Sequence, residues 1–287
     1  MPARTDISPL TLLLTRVDAV VDGAAPPDGV PTGYPSLDKL LGGGPRQGDL
    51  VVLGGDAGSG KSALALSIAL RARAARREVE LITSESDIPR LLERALAMEG
   101  RAPIDNIRQG MLDDAMRASL GSAALRMRDS IPGISRISVS GGDGGPRELA
   151  ERVLSLKGEG ELVVIDSLQG VPTGAMPQDE ELAQTVRLLK SAALDARVVV
   201  LLTAHLPALA RAHPDNRPTL DDFGVLGAVK QHADIVLALY REELYSSAPG
   251  QEGATDLIVL KNRNGPTAYV DLYFYKQWMR FEDMVEP

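Results

Sequence analysis

The sequence predicts an α/β chain: a mostly parallel sheet with helices on both faces and an antiparallel extension toward the C-terminus. Three observations carry that expectation. Four short apolar runs, rich in β-branched residues, alternate with segments of helical spacing. The runs are nearly continuous rather than alternating, as in strands buried on both faces of a helix-covered sheet. Three further strand-like runs then follow one another with no helix between them. Alternation of the first kind builds βαβ units, and the second kind adds hairpins.

In chain order, Ser8-Pro9 before LTLLLTRVDAVV reads as an N-cap and N1 proline opening a short amphipathic helix near 9–21. GAAPPDGVP (23–31) is then a turn-rich linker. Residues 1–30 are therefore expected to be a helical arm, free to pack on its own domain or on a neighbour, and residues 31–287 a single domain. The buried strands are DLVVLGG (49–55), EVELITS (78–84), ELVVIDS (161–167) and RVVVLLTA (197–204), with helices expected over 61–76, 87–99, 146–157 and 179–195. ADIVLALYR (233–241), TDLIVLKNR (255–263) and TAYVDLYFY (267–275) form the extension. The last two are joined at Asn264-Gly265, a dipeptide suited to a tight reversal. On the incoming strand, Lys261 and Arg263 stand two apart, so the period-2 alternation directs both to one side. An edge strand carries such cations to block aggregation; a shared chemical target is the other reading.

Composition narrows the function. With 287 residues the chain can bury a large core. It has no uninterrupted apolar run of membrane-spanning length, and its N-terminus lacks a small-residue cleavage site. The absence of cysteine excludes disulfides and thiolate metal sites and fits a reducing cytoplasm. The three histidines share no ligand-like spacing, so no zinc site is expected. A net charge of −8 gives no global attraction to nucleic acid, so DNA binding would need a local basic surface, as inside a ring.

GDAGSGKS, comprising Gly55, Asp56, Ala57, Gly58, Ser59, Gly60, Lys61 and Ser62, fits the P-loop pattern between a strand and a helix. Backbone N–H groups there surround phosphate oxygens, Lys61 reaches the β- and γ-phosphates of ATP, and Ser62 places its hydroxyl on Mg²⁺. In VVIDS (163–167), Asp166 ends an apolar strand where a carboxylate reaches the same magnesium shell. Glu85, after EVELITS, is expected at the carboxyl edge of the strand next to the P-loop strand. There it could polarise the attacking water, or merely cap the next helix.

From PTGYPSLDKLLGGGPRQGDLVVLGGDAGSGKSALAL (31–66) onward, the chain resembles the ATPase domain of DnaB-type replicative helicases. The likeness continues through IRQG (107–110), VVIDSLQG (163–170) and RPTLDDFGVLGAVKQHADIVLALYREELY (217–245), ending with KNRNGPTAYVDLYF and RF (261–281). RadA- and KaiC-type ATPases share part of it. The resemblance implies a RecA-like core assembled as a hexamer, with each ATP between two subunits and Glu85 polarising water. It also implies that Lys261 and Arg263 cross the interface to the neighbour's γ-phosphate. Two departures stand out. The family's DNA-binding loop carries an Arg-Glu pair before Ser-Gly, but this chain has Gly224-Val225 before Leu226-Gly227. The Ser-Gln-Leu-Asn-Arg sensor segment reads AHLPA (204–208), with His205 for the glutamine and Ala208 for the arginine. His205 is then a candidate sensor of the γ-phosphate, and Arg211, Arg217 and Lys230 remain as sources of channel charge. The family's collar domain has no counterpart in residues 1–30. The expectation is a cytoplasmic DNA-replication motor of the DnaB kind lacking its collar and translocating on single-stranded DNA; the alternative is a RadA- or KaiC-like ATPase that remodels a partner without unwinding.

Overall fold

The structure, a computed structural model, describes residues 8–24, 28–128, 131–136, 145–158, 161–171, 174–207, 215–246 and 250–284. In chain order the elements are α1 (Pro9–Val21), α2 (Pro35–Leu40), β1 (Leu50–Gly55), α3 (Lys61–Ala74), β2 (Val79–Thr83), α4 (Ile88–Gly100), α5 (Ile104–Gln109), α6 (Asp114–Met127) and β3 (Gly133–Arg136). They continue with α7 (Pro146–Ser155), β4 (Leu162–Asp166), α8 (Gln178–Ala196), β5 (Val199–His205), α9 (Ala228–His232), β6 (Ile235–Tyr240), β7 (Ala254–Asn262), β8 (Tyr269–Tyr275) and β9 (Arg280–Asp283).

The nine strands of the described residues form one sheet in the order β3-β2-β4-β5-β1-β6-β7-β8-β9. The first six in that order run parallel, and β7, β8 and β9 extend the sheet antiparallel. Every residue of β1, β4 and β6 is buried, as their continuous apolar runs require. Two hydrophobic clusters lie on the two faces. One contains Leu53, Leu64, Ile68, Leu81 and Val164 beneath α3 and α4, and the other Val52, Val163, Val186, Leu189 and Val200 beneath α7 and α8. No helix among the described residues is long and apolar enough to cross a membrane.

The arm starts as expected: Ser8 Oγ accepts the Leu10 N–H at 3.3 Å with Pro9 in the first turn. Two expectations at the hairpin change. β7 lies between β6 and β8, so it is not an edge strand. The tight Asn264-Gly265 reversal does not form either, since neither residue has a positive φ. Asn262 organises a wider loop instead, its side chain donating to Pro266 O at 3.2 Å and accepting the Asn264 N–H at 3.3 Å. Pro266 has no N–H to give to a ladder, which favours the open connection.

Candidate active site

The turn from β1 into α3 is built as an anion cradle. Gly58 and Gly60 have φ of +77° and +100°, a region L side chains rarely adopt, and a Cβ on Gly60 would also meet Phe281 at 2.7 Å. Asp56 closes the loop, its carbonyl accepting the Ser59 N–H at 3.2 Å and its carboxylate the Ala57 N–H at 2.6 Å. Among the described residues, no protein acceptor meets the N–H groups of Gly60, Lys61, Ser62 and Ala63. Ser59 Oγ is buried with no hydrogen-bond partner among the described residues. Unpaired donors at the positive end of a 14-residue helix suit a polyphosphate. Lys61 is buried in the loop, donating to the carbonyls of Gly55 (3.0 Å) and Asp56 (2.9 Å). Burial lowers its pKa against the opposing charges of Asp166, Glu85 and Asp56.

Asp166, at the carboxyl end of β4, accepts hydrogen bonds on Oδ1 from Ser62 Oγ (3.1 Å) and Thr203 Oγ1 (2.5 Å). Burial raises its pKa, with the two hydroxyl bonds pulling the other way. A serine hydroxyl and a buried carboxylate side by side at the phosphate cradle are hard oxygen donors of the kind that hold Mg²⁺. The residues present therefore fit ATP with Mg²⁺.

Glu85 does not follow the strand next to β1: β4 and β5 intervene between β2 and β1. It reaches the site across the end of β4, because β4 and β5, lying between β1 and β2, move β2 outward by two places. Nor does Glu85 cap α4; Asp87 does, accepting the Arg90 N–H at 2.8 Å. Glu85 instead faces the cradle. Its Oε1 accepts a hydrogen bond from Ser167 Oγ and lies 2.8 Å from Nε2 of His205. Burial raises its pKa, but Ser167, His205 and the Lys61 charge together outweigh that and hold the carboxyl below its ordinary value. It is ionised at neutral pH and able to accept a proton. His205 is itself fixed by Gln169, which accepts its N–H at 2.9 Å and donates to its carbonyl at 3.3 Å. Glu85, Lys61, Asp166, Ser62 and His205 are thus one cluster.

Lys261 and Arg263 are not part of it. Asn262 pairs with Ile235, which pairs with Val51 at the start of β1, while the cradle follows Gly55 at its far end. About four strand steps, roughly 13 Å, separate the two ends before the loop is counted. Lys261 Nζ donates to the carbonyls of Lys230 (2.8 Å) and Ala233 (2.5 Å), and Arg263 Nε to Asp234 Oδ1 (3.0 Å). Both cations share one side, but they point away from their own P-loop.

A family model described as the DnaB-like helicase C terminal domain matches residues 29–283. The chain belongs to that family. A replicative DNA helicase DnaB of Leifsonia xyli subsp. xyli (strain CTCB07) is 31% identical over 294 aligned residues, which cover 97% of this chain and 62% of that protein. The DnaC replicative helicase of Bacillus subtilis (strain 168) is 30% identical over 269 residues, covering 89% of this chain and 57% of it. The chain thus spans about three fifths of the length of these relatives. Among solved structures, one described as an ATPase domain superposes with a TM-score of 0.85 at 24% identity, covering 98% of this chain and all of that one. A DnaB-like replicative helicase described with its primase interactions gives 0.84 at 23%, covering 98% and 68%. The fold is the RecA-like ATPase core of DnaB-type proteins.

Within this DnaB-like domain, the loop that departs from the family pattern is unusual in its backbone. Gly224, Val225 and Leu226 all have positive φ, and Leu226 is 67% exposed. Arg217 is engaged by Asp256 at 2.7 Å and stacks over Tyr240, and Lys230 pairs with Asp221 at 2.8 Å. Ala208 and Arg211 lie outside the described residues. The structure adds site residues that sequence reading misses. Thr203 bonds Asp166; its signal is a lone hydroxyl in an apolar run. Arg241 is buried at the end of β6, stacks over Phe274 and donates to Gly58 O at 3.1 Å, and Tyr245 donates to Asp56 Oδ2 at 3.1 Å. Both residues brace the phosphate loop from the β6 side.

Proposed function

We propose that this domain is the ATP-driven motor of a DnaB-type helicase, a ring, most simply a hexamer, that translocates on single-stranded DNA with each nucleotide held between subunits. The observation that carries this reading is the opposition of the two chemical groups across the sheet. The P-loop, Asp166 and Glu85 lie at the carboxyl edge of the parallel strands, and Lys261 and Arg263 lie at the other end. Cations that cannot reach their own phosphates can serve a neighbour's. When bound, ATP with Mg²⁺ supplies the phosphoryl group that is transferred and part of its charge neutralisation. The cradle N–H groups and Lys61 hold the phosphate oxygens, Ser62 and Asp166 the cation, and Glu85 accepts the proton of the attacking water. His205 couples Glu85 to the loop after β5 and is the candidate sensor of the γ-phosphate. A cytoplasmic location follows from the DNA-motor reading.

The test is ATPase rate with and without single-stranded DNA over a salt series. We expect stimulation that fades steeply as salt rises, because phosphate contacts release counterions. A flat response at low salt would favour the partner-remodelling ATPase, the reading supported by Gly224-Val225 standing where the family's Arg-Glu pair stands.

The arm completes the ring reading. Leu10, Leu13, Leu14, Val17 and Val21 follow helical spacing along α1 and are 49–78% exposed. An apolar stripe left open on its own subunit is suited to docking on the next. Deleting residues 1–24 is expected to weaken the oligomer while leaving the thermal melting of the domain intact. An unchanged mass by light scattering at micromolar concentration would argue against that docking.

A further inference from the structure

We propose that Asp234 is the positioning residue for Arg263: it holds the guanidinium by its Nε edge and so presents the remaining nitrogens to the neighbouring subunit's phosphate. This rests on the reading of Arg263 as a residue supplied in trans. Asp234 joins α9 to β6 and its side chain is 4% exposed, yet it is an anion with fixed partners on three sides. Oδ2 accepts the Leu50 N–H at 2.9 Å and lies 2.6 Å from Nζ of Lys190, which also donates to Gly48 O at 2.8 Å. Its own N–H donates to Leu50 O at 2.9 Å, locking it to the start of β1. Oδ1 then points at Arg263, whose Nε approaches to 3.0 Å and whose backbone N–H donates to Asp234 O at 2.9 Å.

Arg263 is only half held. Its side chain remains 51% exposed, and among the described residues it makes, beyond Asp234, one long contact, 3.4 Å, to Gln231 O. An arginine tethered at Nε, its side chain half exposed and one terminal nitrogen only loosely held, has lost much of its rotamer freedom before it meets a ligand, and less remains to be lost at the transition state. Lys261 is fixed by carbonyls of the same α9 terminus, so both cations take their position from one rigid point.

The experiment compares Lys190→Met with Lys190→Met/Asp234→Asn, a pair that avoids leaving a buried ammonium uncompensated. The amide still accepts the Leu50 N–H but holds the guanidinium without charge. Lys190→Met alone should turn over within about threefold of the parent. The double variant should lose at least about tenfold in kcat, with unchanged affinity for a fluorescent ATP analogue and unchanged oligomer mass. In an Arg263→Ala/Lys190→Met background, Asp234→Asn should cost nothing further, which a purely structural role would not predict. If the pair fails to assemble, Arg263→Lys gives the second readout: lysine has no Nε to hold, so kcat should fall at least about tenfold with assembly intact. Turnover in the double variant within about twofold of Lys190→Met, while Arg263→Ala is inactive, would overturn the positioning role alone. So would wild-type turnover in an assembled Arg263→Lys. Normal turnover in Arg263→Ala would instead remove the trans reading beneath it.

Discussion

Arg263→Ala is expected to bind ATP normally and to hydrolyse it about 10³–10⁵-fold more slowly, the range an arginine supplied to a transferring phosphoryl group provides in other NTPases. The residue lies at the opposite end of the parallel strands from its own P-loop, and its present partners are Asp234 and Gln231 O. Removing it leaves the cradle of residues 55–62 untouched, so affinity should hold while turnover falls. Lys261→Ala should show the same pattern more mildly, since an ammonium lacks the guanidinium's fork. Isothermal calorimetry and single-turnover hydrolysis on the same preparation separate the two quantities. A loss of affinity equal to the loss of rate would mean that the hairpin stabilises the fold rather than the reaction.

Glu85→Gln should retain ATP and Mg²⁺ but slow hydrolysis about 10²–10⁴-fold, the usual contribution of a placed general base. The amide can keep the contacts with Ser167 and His205 while losing the proton acceptor. In the parent, those partners and Lys61 hold the Glu85 carboxyl below its ordinary value despite burial. The sign follows: the base is charged across the neutral range, and its loss on acidification belongs to the low carboxylate range, not near neutrality. Turnover in Glu85→Gln within about threefold of the parent would remove this residue from the reaction.

The parts of this account that sequence reading reaches are those written locally. Continuous apolar runs identify buried strands because the sheet is covered on both faces, and Gly58 and Gly60 mark a loop whose backbone few other residues could follow. α6 escapes such a reading because only Leu120, Ala123 and Met127 of its residues are buried, too thin a stripe to register. Strand order is equally hidden: nothing local says that β4 and β5 lie between β1 and β2, and so the sequence places Glu85 on a neighbour of the P-loop strand. Its partners Ser167 and His205 lie 82 and 120 residues away. The turn at Asn264-Gly265 misleads because the side chain of Asn262 and the missing donor of Pro266 outweigh a dipeptide preference. Asp234 has no role legible from its local sequence; its importance lies in three partners drawn from β1, α8 and the hairpin.

The central claim is that one ATP site is completed by two subunits, and mixing two inactive variants tests it most directly. Lys61→Ala lacks the ammonium of the cradle but keeps its hairpin; Arg263→Ala keeps the cradle but lacks the cation. Under conditions of subunit exchange, interfaces that pair an intact P-loop with an intact Arg263 should form, and ATPase activity should return with a maximum at intermediate mixing ratios. If the two variants demonstrably co-assemble and activity stays at zero at every ratio, the shared site is contradicted.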